Sequence, residues 1–397
     1  MTETNENLWH RNIPAKFWLC ETEFAPESWE QACAEAARLL ELPDAGHDVD
    51  TILAQTLGEM RFGPKHWTLD ASKRIYYMLK PALPRGLVRW MRRWYSRTIR
   101  KKVHIPWPVD ARYVNFLWET LRQEMCWGEK TSAPFKSFWP GHNRFALVLT
   151  HDIETADGQN FVETVADMEE QLGFRSSFNF VPERYTVNRK LMNSLRERGF
   201  EIGIHGLKHD GKMFRSEKIF RRRAAEINAY IRDWNVTGFR ADLTLRQPHW
   251  MQALDIEYDL SFFDTDPFEP IPGGAMSIWP FFMGRFIVLP YTLVQDYSLV
   301  SILGETTPNL WLEKVKFIEQ HCGLALINTH PDYLLEKQTW NVYYDFLTHM
   351  KNRADCWHAL PREAAAWWRQ RADSANHSDP DSLSTAVLDG DTLCIIP

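Results

Sequence analysis

The sequence predicts an α/β fold in which a parallel sheet, curled into a distorted seven-stranded barrel, follows a mainly helical N-terminal extension. Three observations carry this expectation. From Arg144 onward, short β-branched or aromatic runs alternate with helical runs, the pattern of a parallel α/β sheet or barrel. The chain has 397 residues, 44% apolar and 25% charged, with 19 Gly and 22 Pro along it. That composition supports a large core and excludes a disordered, collagen-like or disulfide-framework protein. Finally, three of the apolar runs stop at acids and histidines, where α/β barrels place their chemistry.

Residues 1–140 read as a helical, Trp-rich region, with helices over Trp29–Leu42, Val49–Met60, Leu83–Ile99 and Ala111–Cys126 and no strong strand. The aromatic, Pro-bearing segments between 105 and 140 serve better to pack those helices on the barrel than to stack on a ligand. Residues 141–372 form the barrel. Its strand candidates are Phe145–Thr150, Ser176–Val181, Glu201–His205, Thr237–Arg240, Tyr258–Ser261, Phe286–Leu289 and Leu324–Asn328. Helical runs at Phe161–Leu172, Leu191–Arg198, Ser216–Trp234 and Leu310–His321 fall between several of them, and Pro361 starts a last helix through Arg371. Residues 373–397 are a polar tail, loose or adding an edge strand.

The net charge is -6 and the pI about 6.2, which argues against a nucleic-acid binder. Between Lys73 and Lys102, however, lie eleven Lys/Arg residues and no Asp or Glu. At helical spacing Leu87, Trp90, Met91 and Trp94 share one face, and Arg85, Arg89, Arg92, Arg93, Arg97 and Arg100 the other. Such a helix packs on the barrel with a solvated basic face, docks at an anionic membrane, or contacts an anionic glycan or nucleotide. The opening residues lack a cationic start followed by an apolar stretch, so the expectation is a cytoplasmic protein, peripheral at the inner membrane face if the basic helix docks. Pro280, Arg285 and Pro290 interrupt the most apolar window, Ala275–Val294, and no spanning helix is expected. Six scattered cysteines without a CxxC pair read as free, buried and inert thiols. The oligomeric state is left open.

Three segments carry candidate chemistry. The run Leu147–Thr150 delivers His151, Asp152 and Glu154, and the two carboxylates are expected to reach one pocket only if the chain leaves its alternation or bulges. The run from Phe200 delivers His205 and, one helical turn on, His209, a spacing at which both imidazoles can reach one metal. The run Leu324–Asn328 leads to His330, held by a following proline; Asp332, Asp264 or Asp266 is its expected partner. No Gly-x-Ser-x-Gly, Gly-Lys-Ser/Thr loop, Gly-x-Gly-x-x-Gly or His-Glu-x-x-His occurs, which removes serine hydrolase, NTPase and dehydrogenase readings.

Together these segments resemble the polysaccharide deacetylase family, the NodB-homology group of metal-dependent carbohydrate esterases, over about residues 144–372. Thr150-His-Asp-Ile-Glu154 is similar to its first motif, His205-Gly-Leu-Lys-His209 to its His-Ser/Thr-x-x-His metal motif and Gly238-Phe-Arg240 to its Arg-bearing third. Asp264–Asp266 stands in the place of the fourth, and Asn328-Thr-His330 is similar to the fifth. The resemblance implies a distorted barrel of seven βα units that removes N-acetyl, sometimes O-acetyl, groups from sugars. It implies one divalent metal on Glu154, His205 and His209, zinc first, with cobalt or nickel as substitutes. Asp152 is then the general base, Arg240 its partner and His330 the acid. His151, Asp264, Asp266 and Asp332 are supporting or substrate-binding candidates, and Arg85, Arg89, Arg92 and Arg93 membrane or anion contacts.

The sequence also departs from the family pattern. Glu154 is one methylene longer than the usual Asp, leaving direct ligation, ligation through water, or Asp152 as ligand open. Asp242 follows Arg240 closely enough to compete for it, and the fourth motif lacks its Asp-Trp. Two alternatives stand beside the acetylated-sugar hydrolase: a degenerate barrel that binds glycan without cleaving it, and an allantoinase-like hydrolase of a small non-sugar amide.

Overall fold

The computed structural model describes residues 7–42, 48–64, 66–69, 105–373 and 383–396, with Lys73, Ile75, Tyr76 and Met91. The predicted helix over 83–99, with Arg85, Arg89, Arg92 and Arg93, lies outside the described residues.

The central sheet is built from β2 (Phe145–Ile153), β3 (Ser177–Phe180), β4 (Glu201–His205), β5 (Gly238–Arg240), β6 (Tyr258–Asp259), β8 (Phe286–Val288) and β9 (Leu324–Thr329), all joined in parallel. These are the seven predicted strands. The ladder is continuous from β9 through β2 to β8, and single parallel bridges, Phe263 to Tyr291 and Leu293 to Ile327, carry the last turn of the curl back to β9. Closure by isolated bridges is what makes the barrel distorted. Two strands extend it: β7 (Phe281–Met283) pairs antiparallel with β8, and β10 (Cys356–Ala359) pairs parallel with the first half of β2.

Local chemistry ends the helices where the sequence indicates. The Thr155 hydroxyl accepts the Gly158 N–H and starts the helix Ala156–Leu172, which Gly173 stops with a left-handed backbone. Asn188 and Ser216 cap the helices Arg189–Glu197 and Glu217–Trp234 in the same way.

In the extension, helices Pro26–Ala36, Val49–Thr56 and Arg112–Trp127 match the prediction with small shifts at their ends. The strand β1 (Ser132–Lys136) does not. It pairs antiparallel with β11 (Leu383–Asp389), which pairs with β12 (Thr392–Ile396), so the polar C-terminal stretch is a hairpin on a second, three-stranded sheet. One apolar core runs through extension and barrel alike, with Trp18, Trp118, Phe138 and Trp279 stacked or tilted against one another at their junction. Burial fails for part of the thiol prediction: all six cysteines are free, but Cys126 and Cys394 are exposed and Cys20 and Cys356 only partly buried. Among the described residues, no helix is long and apolar enough to cross a membrane.

Candidate active site

The site is assembled at the C-terminal ends of β2, β4, β5 and β9, where one pocket is lined by Asp152, Glu154, His205, His209 and His330. All nine residues of β2 are buried. The two-residue period of a strand sends Thr150, Asp152 and Glu154 to one face and His151 and Ile153 to the other. No bulge is needed to bring the carboxylates together, contrary to expectation: they stand two positions apart, and the ladder to β3 runs without interruption through Ile153.

Asp152 is 1% exposed and densely held. It accepts hydrogen bonds from Arg240 (3.0 Å), Asn179 (3.0 Å) and Asn328 (2.9 Å). Burial favours its neutral form, but Arg240, with His205 and His330 nearby, overrides this and keeps the carboxylate ionised well below its usual range. Arg240 is itself fully buried, its remaining donors going to the Leu260 carbonyl and the Thr150 hydroxyl. Asp242 does not compete for it; it turns instead to the Gly211 N–H at 2.8 Å. Gly203 makes room for this arrangement, because a Cβ there would sit 2.1 Å from the Asn179 Oδ1.

Glu154, His205 and His209 place one ligand atom each within 4.8 Å of one another. The His205 Nδ1 faces the Arg240 carbonyl at 3.2 Å, leaving Nε2 for a ligand. His209 Nε2 lies 3.0 Å from Glu154 Oε1 yet is a buried atom without an aligned hydrogen bond. A buried imidazole nitrogen and a carboxylate oxygen this close, with no aligned hydrogen bond between them, fit a divalent cation. Two nitrogens and one carboxylate oxygen suit zinc, cobalt or nickel chemically. Burial lowers the pKa of His205 to about 4, only partly opposed by Asp152, and so keeps it in the neutral form a ligand requires. His209 is raised despite burial by the Glu154 charge, and Glu154 is correspondingly driven well below its usual range against its burial.

His330 has a partner the sequence reading missed. Its Nδ1 is 2.7 Å from Asp296 Oδ1, and its backbone N–H donates to the other oxygen at 2.9 Å. Burial opposes the charged imidazole, but Asp296 prevails and raises the pKa to about 9. The three proposed partners are engaged elsewhere. Asp264 is paired with Lys314 at 2.7 Å, and Asp266 accepts the Phe268 N–H within its own loop. Asp332 accepts the Glu154 N–H at 2.9 Å and the Thr155 hydroxyl, so it supports the backbone at Glu154. Its approach needs Gly158, where a Cβ would stand 2.3 Å from the Asp332 Oδ2.

His151 is also displaced from its expected place. It is fully buried on the opposite face of β2, between Glu169 (2.8 Å) and Thr329 (2.7 Å), and plays no part in the pocket. Asn179, Asp296 and Asn328 were not singled out for a role. Only Asn328 carried a signal, two residues before His330 on the same strand face.

No family model matches the chain, and no curated protein does. Among solved structures it is similar to a probable polysaccharide deacetylase of Pseudomonas aeruginosa PAO1, at 13% identity over 59% of this chain and 94% of that one, with a TM-score of 0.48. Puue allantoinase gives 12% identity over 59% and 93% of the two chains and a TM-score of 0.48. The peptidoglycan deacetylase PdaC of Bacillus subtilis gives 11% over 58% and 94%, with a TM-score of 0.39. At such identities and TM-scores these likenesses carry no argument about this chain, and both its fold and its side-chain roles rest on the geometry above.

Proposed function

We propose that this protein is a metal-dependent hydrolase that removes an N-acetyl, or O-acetyl, group from a sugar. The observation that carries the reading is the convergence on one pocket of three different devices: a Glu154–His205–His209 ligand set, the Asp152–Arg240 pair and the His330–Asp296 pair. Together the three can activate a water, take its proton and protonate a leaving amine. A divalent ion held by the ligand set would polarise the acetamide carbonyl and lower the pKa of water.

The chain's own groups supply the proton transfers. Asp152, held ionised and oriented by Arg240, Asn179 and Asn328, takes a proton from the attacking water as its oxygen bonds to the acetyl carbon. His330, kept protonated by Asp296, gives a proton to the sugar nitrogen as the C–N bond breaks. Acetate and a free amine result. Arg240 acts through Asp152 and is a positioning residue.

The test is acetate release from N-acetylated sugars by the metal-loaded protein, wild type beside His330→Ala and Asp152→Asn. Both variants are expected to keep metal and to lose turnover by about a hundredfold or more. Equal rates in wild type and both variants contradict the assignment.

The substrate completes the reading: a lipid- or nucleotide-linked sugar precursor in the cytoplasm, met at an anionic membrane by the basic segment between Lys73 and Lys102. Liposome flotation at low salt that shows no dependence on anionic lipid removes the membrane part.

A further inference from the structure

Glu269 lines the same pocket as the ligand set, His330 and Asp152, yet none of the chemistry above uses it. It is 6% exposed. The Thr244 hydroxyl donates to its Oε2 at 2.6 Å and the Gln295 amide to its Oε1 at 2.7 Å, with the Tyr291 hydroxyl also bonded to the carboxylate, so its side-chain donors are neutral. A carboxylate offers about four acceptor positions, which leaves acceptor capacity for a ligand.

The loop that carries Glu269 is fixed from outside the barrel. Thr265 donates to the Pro106 carbonyl at 2.6 Å, Lys73 to the Pro270 carbonyl at 2.9 Å, and Trp107 meets Phe268 edge-on. Further along, the Gly274 N–H donates to Glu59 at 2.6 Å, and Glu59 forms a buried pair with Arg246. Arg246 in turn donates to the carbonyl of Thr244, the residue that holds Glu269. A buried carboxylate braced at both ends is a preorganised acceptor.

We infer that Glu269 is a specificity-determining residue that accepts hydrogen bonds from the hydroxyls of a neutral sugar and disfavours substrates presenting a carboxylate or phosphate to this wall. The inference rests on the reading of the pocket as a sugar site. A hydroxyl donor meets an oriented carboxylate at this wall, whereas an anion placed against it meets like charge.

The test uses the metal-loaded full-length protein and two probes: tetra-N-acetylchitotetraose and the same oligosaccharide oxidised at its primary hydroxyls to carboxylates. Wild type is expected to bind the neutral probe at least about tenfold more tightly than the anionic one. In Glu269→Gln the neutral Kd is expected to weaken about tenfold and the preference to fall within about threefold, since a bond to a charged group is lost while shape is kept. An unchanged preference in the variant overturns the inference, as does a wild type that binds both probes equally or neither. Metal content, read on the same samples, shows that the variant is folded. Glu269-dependent binding without acetate release leaves the inference standing and removes the deacetylase reading; acetate release with equal KM in both proteins does the reverse.

Discussion

His330 and Asp296 are the pair on which the proposed proton transfer to the leaving group rests at the level of single residues. With the imidazole pKa raised to about 9 from an ordinary 6.5, the pair stabilises the fold fully below about 6.5, and the contribution is lost as pH rises through 9. Asp296→Asn removes the raising charge, so the His330 titration followed by NMR is expected to move downward, and the alkaline limb of activity with it. An unmoved titration contradicts the pairing. Asp296 was not legible in the sequence because 34 positions separate it from His330 and nothing local marks it. The candidate residues that line the pocket were legible because they end apolar runs or, for His209, follow such an end by one helical turn, and a strand end is where a side chain leaves the sheet for a pocket. Misplacement of His151 came from reading the same strand end without its alternation, which turns that ring to the opposite face of β2.

Elements explain how these residues are held. Gly203 on β4 is expected to tolerate no side chain: Gly203→Ala puts a Cβ against Asn179, which then leaves Asp152 or moves the strand. A loss of about 1–3 kcal/mol in chemical unfolding is expected, as for other overpacked cores, and wild-type stability in that variant contradicts the close approach. The seven strands were legible as short apolar runs bounded by helical signals. The tail's edge-strand alternative is met by β11 and β12, but β1 was not legible, because it is interrupted by Pro134 and its partner lies some 250 positions away.

At the scale of the whole molecule, extension and barrel share one core and one buried ion pair, Glu59–Arg246, in which both side chains are inaccessible. Glu59→Ala leaves Arg246 buried without its partner and is expected to cost about 3–5 kcal/mol in denaturant unfolding; a cost within experimental error contradicts the role assigned to the pair. Calorimetry is expected to show one cooperative transition, whereas two well-separated transitions contradict a shared core. The central claim is that Glu154, His205 and His209 hold a divalent ion. Elemental analysis of purified protein, wild type beside His205→Ala and His209→Ala, tests it most directly. About one zinc, cobalt or nickel ion per chain in wild type, lost from both variants, is the predicted result. No bound metal after supplementation with each ion, or equal metal in all three proteins, contradicts it.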